Sequence, residues 1–332
     1  MAEPVILIAS IIAIALFFDF INGFHDAANS IATVVATNVL KPHQAVLMAA
    51  FWNFIGAFVF GVAIAATIAK GLVVPGAVTI WVILAGLLGA IVWDLLTWWY
   101  GLPSSSSHAL IGGFVGAAVM AKGLGVIIYG GVLKVFIFIF VAPSLGLLGA
   151  FIFTEIMRFS FRNAKPAKVQ WIFRHMQIVS SSFYSLGHGT NDAQKTMGII
   201  TILLFSGGYL ADAGHVPVWV ILASHASIAI GTYFGGWRIV KTMGQRITKL
   251  RPFDGFGAET AGGAVLAMTS HLGIPVSTTH VIAGSIVGVG LTKGRGRVRW
   301  PLARNIVWAW ILTIPASALI AALSYFTISL FI

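Results

Sequence analysis

Apolar stretches long enough to cross a bilayer recur from one end of this chain to the other, among them 5–21, 45–69, 78–93 and 218–236. A membrane helix needs about 20 apolar residues, and a spanning chain must satisfy its own backbone hydrogen bonds. The recurrence therefore specifies a polytopic, all-α membrane protein. Only 9% of the residues are charged, against about 25% in a soluble domain. Runs such as 135–141 lack the alternation of an outer-membrane barrel strand. The longest polar connection, 158–175, leaves no room for a nucleotide-binding or catalytic domain, so any energy source acts within the membrane part. The first stretch has no basic leader and runs directly into a polar motif, which reads as a span and not a cleavable signal. With no cysteine in the chain, disulfides, thiolate metal sites and cysteine nucleophiles are all excluded.

Ten hydrophobic segments are expected, at 4–37, 44–69, 77–100, 104–121, 132–157, 176–206, 217–237, 256–272, 276–292 and 305–331, the shorter ones open to either a crossing or a re-entrant path. If every segment crosses and the N-terminus is outside, the inside loops collect all of the 20 Lys and Arg except Lys70, Lys122, Lys134 and Lys195. The positive-inside rule then selects a plasma (inner) membrane protein with both termini outside. The formal charge of +11 is on this reading a topology signal and a contact with anionic lipid, which removes nucleic acid as a partner.

The polar residues inside the segments repeat. GFHDAANS at 23–30 aligns with GTNDAQKT at 189–196, and GLPSSSSH at 101–108 with GIPVSTTH at 273–280, in the same order in each half. Each half holds five segments, an odd number, so the second copy enters from the opposite side. The expected organisation is a first inverted repeat at 1–157, a basic linker at 158–175 and a second inverted repeat at 176–332. Inverted repeats with broken helices at matching positions are a common way to build a midplane site open to either face in turn.

Two chemistries ride on the repeat. Asp26, Asn29 and Ser30 share one helix face, as do Asp192, Lys195 and Thr196, and charge at bilayer depth usually marks a substrate or ion path. The competing reading is that the two acids only tie unwound backbone together. The second motif is a proline followed by hydroxyls, expected in the first turn of a helix where the missing N–H of proline costs nothing. Ser105, Ser106 and Ser107 pair with Ser277, Thr278 and Thr279, adding O–H donors to free N–H groups at the positive end of a helix dipole. Two such termini suit an oxyanion. A single one is usually just a cap.

Other polar residues are read more modestly. His108 and His280 are expected to be hydrogen-bonded structural residues. Asp94, among Trp93, Trp98 and Trp99, suits an interface position as well as a transport role, and Glu259 is balanced between a helix start and an ion site. Gly112, Gly113 and Gly116 are expected at close helix contacts.

Together, GFHDAANSIAT at 23–33, GTNDAQKTMGII at 189–200 and the two proline-hydroxyl motifs resemble the inorganic phosphate transporter (PiT) family across almost the whole chain. The resemblance implies a phosphate symporter with re-entrant hairpins and no cofactor, driven by protons or by sodium, with sulfate permeases among its relatives. Its bacterial low-affinity members, proton-coupled and taking phosphate largely as a neutral complex with a divalent cation, share GFHD and NDAQK. The expected phosphate contacts are the six hydroxyl residues and Lys195; the expected cation contacts are His25, Asp26, Asn29, Asn191 and Asp192. Two residues depart from the commoner Gly-x-Asn-Asp-x-x-Asn pattern: His25 replaces the first asparagine and Lys195 the last. Lys195, three residues after Asp192, is within ion-pair reach and is expected to stand in for a sodium ion, and His25 to carry or sense the proton; the competing reading gives His25 a structural hydrogen bond and Lys195 a reach toward the membrane interface.

An anion channel would need neither a second, inverted site nor a buried acid beside the anion path. A hydrolase is disfavoured because Ser107 and His108 are neighbours pointing about 100° apart and no Gly-x-Ser-x-Gly turn is present. A homo-oligomer is compatible with the pattern.

Overall fold

The structure is a computed structural model and describes residues 4–59 and 61–331. Twelve α-helices are found among them: α1 Val5–Ala36, α2 Pro42–Ile55, α3 Ala63–Gly71, α4 Ile80–Tyr100, α5 Ser106–Lys122, α6 Tyr129–Ser160, α7 Pro166–Ser206, α8 Val218–Phe234, α9 Trp237–Lys241, α10 Pro252–His271, α11 Thr278–Leu291 and α12 Trp300–Ser329. Each of the ten expected segments is found as one helix or, twice, as a consecutive pair. The pairs are α2 with α3 and α8 with α9, the second segment of each half; α9 runs on into a π-turn, and the bend from α8 is 62°. The 158–175 stretch is mostly helical: α6 continues to Ser160 and α7 starts at Pro166, leaving 161–165 as the turn. Proline at the first position of α7 suits that start, since its absent N–H would have had no acceptor.

α1, α4, α6 and α12 are long and apolar enough to cross a membrane, and the two bent pairs pass the same test jointly. α7, at 41 residues, is the longest helix and fails it because its middle is polar. α1 and α7 organise the rest. The first half of α1 (Ile8, Ile11, Ala15, Phe18) packs with the second half of α7 (Met197, Ile200, Leu203) in one apolar core, together with α3, α4 and α5. The second half of α1 (Ala28, Ile31, Val34) joins Tyr184 of α7, α10 and α11 in another. The two long helices therefore run antiparallel, and the band between the cores contains both acidic motifs.

α5 and α11 are short, 17 and 14 residues, or roughly 26 and 21 Å against a hydrocarbon thickness of about 30 Å. Each follows an extended run, 102–105 or 274–277, that leads back from the end of the preceding helix. α4 ends on left-handed Gly101 (φ 65°), whose carbonyl accepts from Thr242; α10 ends before Gly273 (φ 63°), whose carbonyl accepts from Thr67. A side chain at either turn would meet the steric penalty of that backbone region. The hydroxyl-bearing helices thus start in the protein interior.

They are held there by close backbone contact. A Cβ on Gly112 or Gly116 would come within 2.6 or 2.4 Å of the Ile314 or Ala318 carbonyl of α12, and one on Gly284 or Gly288 within 2.2 Å of the Pro143 or Leu147 carbonyl of α6. The glycine pairs are related by the offset that relates Pro103 to Pro275, and each short helix packs on the last helix of the other half. Overpacking such a contact costs about 1–3 kcal/mol. Gly288→Leu should therefore lower the melting temperature of the purified protein by roughly 2–4 °C, whereas Gly130→Ala, where a Cβ meets nothing within 4 Å, should leave it unchanged.

Candidate functional site

Both hydroxyl motifs start their helices in the same way. Ser105 and Ser277 are the N-caps, accepting from the backbone N–H of His108 and His280 at 3.2 and 3.3 Å. A cap inside the protein satisfies donors that no water reaches. The prolines do not lie in the first turn as expected. They precede the cap by two residues, where fixed φ and the restriction on the residue before them keep the incoming chain extended.

The next residues meet at α7. Asp192 Oδ1 pairs with Lys195 Nζ on the following turn, and Ser107 lies 3.4 Å from the same oxygen. Lys195 Nζ also donates to Ser107 Oγ at 2.5 Å and to the Val276 carbonyl at 2.8 Å. Thr278 Oγ1 donates to Asp192 Oδ2 at 2.9 Å. Ser107 from one helix start and Thr278 from the other thus hold the two oxygens of a single carboxylate. Lys195 is 1% exposed, which excludes the alternative that it reaches for the membrane surface.

α1 closes the other side. Thr279 Oγ1 donates to Asp26 Oδ2 at 3.3 Å, and Asn29 Nδ2 donates to Thr278 and Thr279 at 3.1 and 2.9 Å. Asp26 Oδ1 lies 2.6 Å from His25 Nδ1, and His25 Nε2 is 3.0 Å from Thr97 Oγ1. Close to both Asp26 and Asp192 stands a residue that sequence reasoning passed over. His188, one turn before Asp192, places Nε2 3.3 Å from Asp192 Oδ2, and a ligand atom from each of Asp26, His188 and Asp192 falls within 4.8 Å of the others. The i, i+4 spacing of His188 and Asp192, with Lys195 on the next turn, was the available signal.

α1 and α7 run unbroken through both motifs, so the acids do not tie unwound backbone. Two of the expected site residues stand apart. Asn191 donates to Ser270 at 3.3 Å and points along α10, away from the Asp192 pair. Ser106 Oγ has no hydrogen-bond partner, nor have the amide oxygens of Asn29 and Asn191. Each is a buried polar atom, for which an unmade bond costs about 1–3 kcal/mol.

The remaining polar residues revise several expectations. The ring nitrogens of His108 and His280 make no well-formed hydrogen bond. The two rings instead meet edge to face at 4.8 Å, and His280 stacks on Trp310 at 3.9 Å. Asp94 is fully buried beside Ser106 and His25, not at an interface. Glu259 lies two turns inside α10, so it does not start that helix; Asp254 fills that role by accepting from Arg251 N at 2.8 Å. The Glu259 carboxylate accepts from Thr33, Gln177 and Ser180 at 2.5–2.9 Å.

Residues 22–321 match the profile of the Phosphate transporter family. The chain is 54% identical to a probable low-affinity inorganic phosphate transporter of Rhizobium meliloti (strain 1021), covering 98% of this chain and 97% of that one. It is 44% identical to a similarly named protein of Bacillus subtilis (strain 168), covering 98% of each. A solved structure described as the sodium-dependent phosphate transporter superposes with a TM-score of 0.89 at 26% identity, covering 97% of this chain and all of that one.

The ion pair makes a stability test possible. Removing one partner of a buried pair costs about 3–5 kcal/mol, whereas replacing both by apolar groups is often neutral. Lys195→Met should markedly lower resistance to chemical unfolding in detergent, and the double variant Lys195→Met with Asp192→Leu should recover most of it. Equal destabilisation by the single and double variants would show that the pair is not coupled.

Proposed function

Since the chain belongs to the phosphate transporter family, whose members are transporters and not enzymes, we propose that it imports inorganic phosphate by proton-coupled symport. The reading is carried by one observation: two inward-facing helix starts converge on a single buried Asp192–Lys195 pair. In this reading phosphate takes over the donors that Asp192 now occupies. The Ser107 and Thr278 hydroxyls rotate from carboxylate to phosphate oxygens, Ser106 supplies a further O–H, and Lys195 lies between the two anions. Thr279, with Ser105 and Ser277 as rigid caps, completes the cradle. Backbone N–H groups at two helix termini favour an anion without adding a mobile charge.

Charge balance supplies the coupling. An anion brought beside Asp26 and Asp192 in a medium of low dielectric constant needs more positive charge than Lys195 provides. A proton on His25, His188 or one of the acids meets that need, as does a divalent cation held by Asp26, His188 and Asp192 and travelling with the phosphate as substrate. The mixed nitrogen and carboxylate donor set suits a transition-metal ion better than magnesium. Asn29 offers its free amide oxygen to the same cation; Asn191, which faces α10, would have to turn to do so. The two inverted repeats, at 1–157 and 176–332, would expose this site alternately, with the basic loops and the 158–175 connection on the cytoplasmic side and both termini outside.

Sodium coupling is the second reading, favoured by the sodium-dependent structural relative. Lys195 separates the two, because a fixed ammonium next to Asp192 already fills the place of a monovalent cation. Uptake of labelled phosphate into proteoliposomes should follow an imposed pH gradient and ignore sodium. Lys195→Asn should cut that uptake at least tenfold or make it sodium-dependent. Wild-type uptake that requires sodium and ignores the pH gradient would establish the second reading.

A further inference from the structure

Away from the site, where the ends of α6 and α11 meet the starts of α7 and α10, lies a cavity of about 760 Å³, within the range of pockets that enclose a drug-sized ligand. Five cationic side chains line it. Two are neutralised in place: Arg158 pairs with Glu155 and donates to the Thr292 carbonyl at 2.6 Å, and Lys293 pairs with Asp254 at 2.5 Å. The other three, Lys249, Arg251 and Arg297, have no ion pair or side-chain hydrogen bond among the described residues. Three positive charges on one wall, with no counter-charge, repel one another. The first helical residues of α7 and α10, Pro166 and Pro252, also line the cavity, adding the positive ends of two long helix dipoles.

A second cavity shares a wall with it. This groove, about 190 Å³, runs between α6, α11 and α12 and is lined almost wholly by apolar side chains, including Leu147, Val287, Ala303 and Val307. The dividing wall is a two-rung tie: Arg299 N donates to the Ile247 carbonyl at 3.0 Å, and Thr248 Oγ1 to the Arg297 carbonyl at 3.0 Å. Ile247 and Trp300 face the apolar groove, while Thr248 and Arg297 face the basic cavity. Ser144, Trp300 and Val307 are exposed along the groove, so it opens on the lipid-facing surface.

A basic chamber beside an apolar groove that opens to lipid is the shape of an amphiphile with an anionic head. We propose that this pair of cavities binds an anionic phospholipid, its headgroup phosphate held by Lys249, Arg251 and Arg297 and an acyl chain lying in the groove beside Ala303. The lipid belongs to the leaflet on the side of the basic loops. It replaces the missing counter-charge and clamps α6, α11 and α12, of which α6 and α11 make the Gly284 and Gly288 contacts. A soluble phosphoryl compound offers the same headgroup chemistry, and the groove discriminates between them, because only the lipid needs it.

Native mass spectrometry of the detergent-purified protein, titrated with phosphatidylglycerol or with phosphatidylcholine of the same acyl chains, tests this. Phosphatidylglycerol should bind at least tenfold more tightly to the wild type. Each basic residue near a bilayer surface contributes about fivefold, so Lys249→Gln, Arg251→Gln and Arg297→Gln combined should abolish that preference. Ala303→Phe, which narrows the groove and leaves the charges in place, should weaken phosphatidylglycerol binding several-fold while leaving competition by soluble glycerol phosphate unchanged. If the triple variant does not purify folded, Arg297→Gln alone should still show the fivefold loss. A preference for phosphatidylglycerol that survives loss of the charges would overturn the proposal. So would glycerol phosphate binding that depends on the three basic residues while lipid binding ignores Ala303→Phe, since the cavity would then be a site for soluble phosphoryl compounds.

Discussion

A carboxylate cannot stay ionised in the interior of a membrane protein unless something positive or several donors stand against it. Asp192 meets that condition with Lys195 one turn away, Ser107 and Thr278 from two helix starts, and His188 on the preceding turn. Much of the architecture follows from bringing these groups to one point. α7 must be long and unbroken to carry three of them on one face. α5 and α11 must begin within the protein and not at its surface, which requires the extended approaches at 102–105 and 274–277. Because those helices start where no water is available, serine caps at both are obligatory. The glycine contacts with α6 and α12 then hold the starts in register.

The same packing explains why the site is assembled from both halves of the chain. α5 leans on α12 and α11 on α6, so neither half can position its own hydroxyls without the last helix of the other. α1 and α7 cross the whole arrangement antiparallel, each packed in an apolar core at both ends. The result is a polar band between two apolar layers. Its unpartnered buried atoms include Ser106 Oγ, the amide oxygens of Asn29 and Asn191, and the ring nitrogens of His108 and His280.

Most of this was legible in the sequence, for reasons that differ by residue. Segment positions follow from apolar length alone, and the Asp192–Lys195 pair from a three-residue spacing on one helix. Pairing the proline-hydroxyl motifs anticipated that the two hydroxyl-bearing helix starts would meet, though not that Ser107 and Thr278 would share one carboxylate. What stayed hidden depended on rotation or on distant partners. Asn191 is a neighbour of Asp192 in sequence but points about 100° away, toward Ser270, as adjacent helical residues must. His188 was missed because its importance depends on Asp26 approaching from α1. Glu259 lies well inside α10, whose first turn is closed by Asp254 accepting from the Arg251 N–H, a local pairing that the glycines before Glu259 do not signal. The edge-to-face His108–His280 contact could not be read from either histidine alone.

The central claim is that an anion seats where the two helix starts meet the Asp192–Lys195 pair. A cryo-electron microscopy map of the protein in nanodiscs with saturating phosphate tests it most directly. The account predicts density for one tetrahedral anion within hydrogen-bonding distance of Ser106, Ser107, Thr278, Thr279 and Lys195, with the Thr278 hydroxyl turned away from Asp192. Phosphate density elsewhere, with the Lys195, Ser107 and Thr278 contacts to Asp192 intact, would contradict it.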